Sequence, residues 1–276
     1  MTRSRDFSLT VQDRIGVLRI ERESKRNALD ADMMDQLADL CREIERCDDI
    51  GALILTGTGN SFCAGGDIAA WSDQAPTAFA RHWVRNGHDS LDRLARLRQP
   101  VIAAINGHAL GGGLELAACA DYRIAEGQVK FGQPETGLGI IAGWSGTQRA
   151  VRRFGQQIVR RMALFGEVLS AENALAEGLV DKVVGQGEAL GAARETAAAV
   201  LRRSPLATEL TKMLLNAAEG EERERVLESL AGRIAAASAD LREGVAAFKE
   251  KRPADFTKME KINDPAPRSS TVPQGY

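Results

Sequence analysis

The chain has 276 residues, 44% of them hydrophobic and 27% charged, with 36 Lys plus Arg against 38 Asp plus Glu and a formal net charge of -2. Its length suits one large domain or two modest ones, and its composition excludes wholesale disorder. The balanced charge excludes a broad electrostatic grip on nucleic acid or anionic lipid.

Taken in chain order, residues 7–12 and 16–22 read as a strand pair. Residues 30–46 repeat apolar positions at helical spacing (Met33, Met34, Leu37, Leu40, Cys41, Ile44), with Asp30 as the N-cap. Residues 52–57 are a buried strand and 77–97 a helix. Pro100 opens the strand 101–105, and 122–125 is a further strand. The pattern then turns helical, over 156–165, 171–177, 187–203, 206–218 and 221–250, with one short strand at 180–184. Strands alternating with helices predict an α/β core.

The most apolar long stretch, residues 101–120, contains Asn106, His108 and Glu115. A membrane span would not carry that polar load, so no membrane is expected. The N-terminal MTRSRDFSLT has no apolar run resembling a secretory signal. The four cysteines lack CxxC spacing and only three histidines exist. No metal site or disulfide scaffold is expected, and a reducing cytoplasm is the expected compartment.

Three segments carry candidate chemistry. SFCAGGDI (residues 61–68) follows a strand and exposes backbone N–H groups at Gly65 and Gly66. NGHALGGGLELA (residues 106–117) opens a helix on three glycines, where the first amides have no internal partner. Its glycines match neither a Walker loop nor GxGxxG. FGQPETGLGIIAGWSGTQR (residues 131–149) is a glycine-rich loop too apolar for solvent. Each segment alone also reads as a tight turn, as helix-on-sheet packing or as a crossover.

Together, in this order and spacing, the three segments resemble the enoyl-CoA hydratase/isomerase, or crotonase, superfamily, most closely its enoyl-CoA hydratases. The resemblance runs from about residue 7 to residue 256. It implies an α/β, crotonase-like spiral of ββα units with a helical C-terminal region. Residues 1–200 would form the spiral core, 201–256 a helical oligomerisation region and 257–276 a flexible tail. The implied assembly is a homotrimer or a dimer of trimers. The implied substrate is an acyl-CoA thioester. No separate cofactor is implied, since coenzyme A is part of that substrate.

By motif position, the resemblance makes the amides of Gly66 and Gly112 an oxyanion hole. Such donors act by stabilising the charge that grows on the thioester oxygen as an enolate forms. Glu115 and Glu135, twenty positions apart, fall where hydratases hold two glutamates around one water. Glu135 is assigned the α-proton and Glu115 the water. Gly143 matches a glycine whose amide can contact that water. Its neighbours Ala142 and Trp144 depart from the usual proline before and small residue after, and Trp144 either narrows the acyl pocket or packs as core. Arg26 and Ala28, in RNAL, match a coenzyme A-proximal turn. Ala64, Asp67 and Ile68 match positions near adenine. Lys251 matches a lysine that reaches coenzyme A phosphates, often across subunits. Trp71, Phe79 and Trp83 line the acyl side or pack as core.

An isomerase needs only one shuttle carboxylate, at Glu135, so Glu115 favours hydration. Retention of both glutamates argues against hydrolase, dehalogenase and decarboxylase branches and against an acyl-CoA-binding pseudoenzyme. Balanced charge gives no support to an RNA-associated role. Cys63 has no evident histidine partner for nucleophilic work, and His108 is not selected.

Overall fold

Along residues 52–55 the side chains alternate between two buried faces. Leu53 and Leu55 enter one hydrophobic cluster, Ala52 and Ile54 another. This is the period-two signature of a strand covered on both sides. The computed structural model describes residues 2–3 and 5–257. All of the expected tail but Thr257 lies outside the described residues.

The elements run β1 (Thr2–Arg3), β2 (Phe7–Gln12), β3 (Ile15–Ile20), α1 (Ala31–Arg46), β4 (Ala52–Gly57) and α2 (Ile68–Trp71). Next come α3 (Pro76–Ala78), a π-helical turn (Phe79–Val84), α4 (Arg85–Ala95), β5 (Val101–Ile105), β6 (Ala109–Leu110), α5 (Gly112–Ala117), β7 (Tyr122–Glu126) and β8 (Lys130–Gly132). A 3₁₀ turn (Glu135–Leu138) precedes α6 (Arg149–Phe154), α7 (Gln156–Phe165), β9 (Leu169–Ser170), α8 (Ala171–Ala176), β10 (Lys182–Val184), α9 (Ala189–Val200) and α10 (Pro205–Ala218). The last two are α11 (Arg223–Ala237) and α12 (Ala239–Glu250).

The larger sheet has the order β1-β2-β3-β4-β5-β7-β10. It is antiparallel from β1 to β3 and parallel from β3 onward. The smaller sheet is β6-β8-β9, with Ala109 opposite Phe131. Single bridges Cys63–Ala109 and Leu29–Gly66 carry pairing into the neighbouring turns. The chain therefore repeats a step from the large sheet to the small one and into a helix: β4, the Cys63 bridge, α2; then β5, β6, α5. In both repeats a glycine turn lies just before the helix and beside the small sheet, and the third candidate segment leaves β8 of that same sheet, which gathers the three.

One face of the large sheet packs with α1 and α4, and the other with the Ala189, Ala193 and Ala197 stripe of α9 against Ile54, Ile102 and Ile124. Small residues at i, i+4 and i+8 let that helix lie close. Asp30 caps α1 as expected, its Oδ1 accepting from Met33 N at 3.0 Å.

Three elements differ from the sequence expectation. The helix expected over 77–97 contains the π turn, where Arg85 N donates to Ala80 O. The helix expected over 221–250 is two, because Ser238 is extended and its Oγ caps the second by accepting from Leu241 N at 3.1 Å. α6 occupies the stretch between the glycine-rich loop and the helix expected over 156–165, to which the sequence pattern assigns no element, and Gly155 at φ +98 separates it from α7. The chain forms two compact units, dividing between Glu221 and Glu222. No helix among the described residues is long and apolar enough to cross a membrane.

Arg149, fully buried, anchors the third segment. Its Nε and Nη2 donate to Glu221 at 2.9 and 3.1 Å, and Nη2 also to Asp92 at 2.5 Å. Burial pushes the Glu221 carboxyl up, but Arg149 and Arg152 outweigh it and hold the group at about 2. Replacing Arg149 leaves buried carboxylates short of a partner. Arg149→Met is therefore expected to lose roughly 3 kcal/mol of stability at pH 7, with an unchanged m-value. Urea unfolding checks this, and a loss within about 0.5 kcal/mol would show the cluster dispensable.

Candidate active site

The first segment turns back after β4 and is held by residues 26–29, which bridge to it at Leu29. Leu29 N donates to Gly65 O at 2.8 Å, Asp67 N to Leu29 O at 2.7 Å, and Ala64 N to Arg26 O at 3.1 Å. The carboxylate of Asp67 is already engaged, 3.0 Å from Arg22, which also pairs with Asp30 at 3.0 Å and donates to Ala28 O at 2.8 Å. The guanidinium of Arg22 thus clamps the turn, a role its sequence position does not announce. Gly65 adopts φ +104, which side chains rarely take.

The second segment enters α5 through Gly111, at φ +53 and ψ -123, whose amide donates to Gly132 O at 2.9 Å. The amides of Gly66 and Gly112 are neighbours. A methyl group on Gly112 would stand 3.3 Å from Gly66 N, and one on Gly65 would stand 3.4 Å from Gly112 N. Among the described residues neither amide donates to a backbone carbonyl.

Glu115 lies in the first turn of α5 and is 3% exposed. Its Oε1 accepts from Trp144 N and from Gly146 N, both at 2.7 Å. Burial, then the nearby charge of Glu135, push its carboxyl up to about 7 against the pull of those two amides and Arg149. Glu135 opens the 3₁₀ turn after Pro134, and burial raises its carboxyl also. Its Oε2 is buried and makes no hydrogen bond within the chain. Gln133 is a residue the sequence reading missed. It is 1% exposed, and neither its Oε1 nor its Nε2 has a partner in the chain. Its Nε2 would lie 2.1 Å from a methyl on Gly146. Buried polar atoms of this kind are left for a ligand or solvent to satisfy.

Apart from Gln133, these groups border a cavity that opens to solvent, about 530 Å³ in all. Gly66, Gly112, Glu115, Glu135 and Gly143 line it, as do Ala64, Ile68 and Trp144. Arg26, Ala28 and Asp67 stand behind the first turn and are not among the lining residues. Trp71 and Trp83 line the cavity, while Phe79 packs edge-on against Trp71 at 5.5 Å. Lys251 is exposed and closes α12 in a left-handed conformation. It belongs to the second compact unit. Cys63 is fully buried, and burial pushes its thiol up to about 12, which removes it as a nucleophile at neutral pH. No group of three or more His, Cys, Asp or Glu among the described residues is arranged to hold a metal. The site therefore combines two adjacent amide donors with two buried carboxyls, one of which changes protonation near neutrality.

Comparison with known proteins gives the same direction. The family model described as enoyl-CoA hydratase/isomerase matches residues 10–259. Over 251 residues the chain is 38% identical to the crotonyl-CoA hydratase of Syntrophomonas wolfei, covering 90% of this chain and 96% of that protein. Over 247 residues it is 37% identical to the short-chain-enoyl-CoA hydratase of Clostridium acetobutylicum, covering 88% and 94%. Among solved structures, Pseudomonas aeruginosa DspI superposes with a TM-score of 0.77 at 36% identity, covering 93% and 98%. An enoyl-CoA hydratase from Bacillus anthracis gives 0.74 at 31%, covering 91% and 99%. The fold is that of the crotonases.

The raised carboxyl of Glu115 has a cost. A group that holds its proton more tightly when folded contributes stability below its unfolded value, and loses it as pH rises through the folded one. The window here runs from about 4.5 to about 7. Glu115→Gln is therefore expected to melt above the parent at pH 8, by up to about 3 kcal/mol, and to converge with it at pH 4. Thermal unfolding at the two pH values checks the sign. A variant less stable at pH 8 than at pH 4, relative to the parent, would contradict it.

Proposed function

This chain belongs to the enoyl-CoA hydratase/isomerase family, and from that membership and the geometry of its cavity we propose how it works as a hydro-lyase. Its reaction is the addition of water across the 2,3 double bond of a 2-enoyl-CoA thioester. The observation that carries the reading is the pair of buried carboxyls, Glu115 and Glu135, beside the unengaged amides of Gly66 and Gly112.

The thioester carbonyl oxygen accepts from Gly66 N–H and Gly112 N–H. Both donors are fixed in place before charge develops, so they favour the enolate over the neutral thioester. Ionised Glu115 takes a proton from water as its oxygen bonds to the β-carbon. Protonated Glu135 gives its proton to the α-carbon as the enolate collapses. One carboxyl must therefore be charged and the other neutral. Burial raises both carboxyls, and a charge on Glu135 raises Glu115 further, so the two do not readily ionise together. Gly143 contributes an amide near the water. Coenzyme A enters as part of the substrate, with Arg26, Ala28, Ala64, Asp67 and Ile68 shaping its approach. Names of the relatives from Syntrophomonas and Clostridium support a short acyl chain.

The helical region expected over 201–256 is proposed to assemble the protein as a trimer or dimer of trimers in the cytoplasm, with Lys251 reaching the coenzyme A phosphates of a neighbour. Exposed Ile234 and Phe248, at 75% and 85%, support this reading. Ile234→Asp with Phe248→Asp is expected to yield monomers in light scattering. A parent chain that is already monomeric would overturn the assembly.

Loss of conjugated thioester absorbance with crotonyl-CoA, together with a product heavier by one water, tests the reaction. Glu115→Gln and Glu135→Gln should each lower kcat by about 10²–10⁴. In the parent, kcat/KM should rise as pH rises through about 7, because the water-activating carboxyl must ionise. Double-bond migration in a 3-enoyl-CoA without any water gain would instead make the chain an isomerase.

A further inference from the structure

Trp144 has two jobs in one residue. Its backbone N–H holds Glu115, and its side chain is locked elsewhere. The indole Nε1 donates to Trp83 O at 3.0 Å. The ring lies 4.8 Å from that of Trp83, tilted by 40°. The lock depends on an absent side chain in α4. A methyl on Gly87 would stand 2.1 Å from Trp144 Nε1 and 2.5 Å from Cε2. Glycine inside a helix costs about 1 kcal/mol relative to alanine. Here that cost makes the notch in which the indole sits.

The far edges of the two indoles meet the oxyanion glycines. A methyl on Gly112 would lie 2.7 Å from Trp144 Cζ3, and a methyl on Gly66 2.6 Å from Trp83 Cζ2. The rings thus form one continuous wall from α4 to both amides. Trp71 extends it, 6.2 Å from Trp83. The mechanism fixes where an acyl chain must go. The carbonyl oxygen sits at Gly66 and Gly112, and the β-carbon faces the water of Glu115. The chain beyond the β-carbon then starts beside Trp144, whose amide holds that same carboxylate.

We propose that Trp144, seated in the Gly87 notch, is the end wall of the acyl pocket and restricts the enzyme to short straight-chain 2-enoyl thioesters. This rests on the hydratase reading and adds a residue and a length limit to it. A longer chain can enter only by pushing the indole out of its notch. The backbone of Trp144 moves with it, so Glu115 loses a hydrogen-bond donor. Length discrimination therefore falls on kcat as well as on KM.

The test compares crotonyl-, 2-hexenoyl-, 2-octenoyl- and 2-dodecenoyl-CoA. In the parent, kcat/KM should fall by about tenfold or more from crotonyl- to 2-octenoyl-CoA, with part of the fall in kcat. Trp144→Leu should raise the octenoyl-to-crotonyl ratio by about tenfold or more. Gly87→Ala, which helix propensity favours, forces the indole toward the cavity and should lower that ratio further. Calorimetric binding of butyryl- and octanoyl-CoA gives a readout independent of turnover. Preference for butyryl-CoA, relaxed in Trp144→Leu and sharpened in Gly87→Ala, would sustain the wall even where no hydration occurred. Circular dichroism verifies the fold of both variants. A flat length profile in the parent, or a ratio unmoved by Gly87→Ala and by Trp144→Leu, overturns the proposal.

Discussion

A single carboxylate oxygen joins the parts of this site. Glu115 Oε1 accepts from Trp144 N and Gly146 N, so a residue of α5 is tied to the loop that follows the 3₁₀ turn. The two bonds keep a buried acid in one orientation, and they are what make its ionised form tolerable there. The loop in turn is anchored by Arg149, whose amide donates to Ser145 Oγ at 3.2 Å and whose guanidinium donates to Glu221 and Asp92. Remove the loop and the acid has neither donors nor a fixed direction. Remove the acid and two buried amides lose their acceptor.

The fold explains why distant segments meet here. Each turn of the chain passes from the large sheet to the small one before entering a helix. The single bridge Cys63–Ala109 sets the first glycine turn beside the small-sheet strand that leads into the second, and the bridge Leu29–Gly66 holds the first turn from its other side. Donor spacing is thus a property of strand register, which the large hydrophobic core enforces. The two indoles against Gly66 and Gly112 stiffen the same pair from behind.

Much of this was legible in the sequence, for physical reasons. Strands buried on both faces are continuous apolar runs, as at residues 52–57 and 101–105, and α1 announces itself by Asp30 and its apolar spacing. The three segments resemble a known family because close backbone approach requires glycine at fixed places. What stayed hidden is pairing across the chain. Nothing local marks Arg22 as the partner of Asp67, or Glu221 as the partner of Arg149, seventy-two positions away. Gln133 reads as an ordinary polar residue until its burial is known. Ser238 interrupts a helical pattern only by offering a cap that competes with continuing the helix. The π turn is equally silent, because its apolar spacing still reads as helix over 79–84.

The Gly87 notch also bears on how this chain can change over time. An indole seated at 144 as it is here leaves no room for anything larger than glycine at 87 or at 112, so the three positions are coupled. A first step from tryptophan to a smaller residue opens a void but clashes with nothing. A first step from glycine to alanine clashes at once. Drift away from this pocket shape therefore has a preferred order, with position 144 changing before position 87. Relatives that carry a small residue at the former are free to fill the latter with any good helix former, and the aligned columns should vary together.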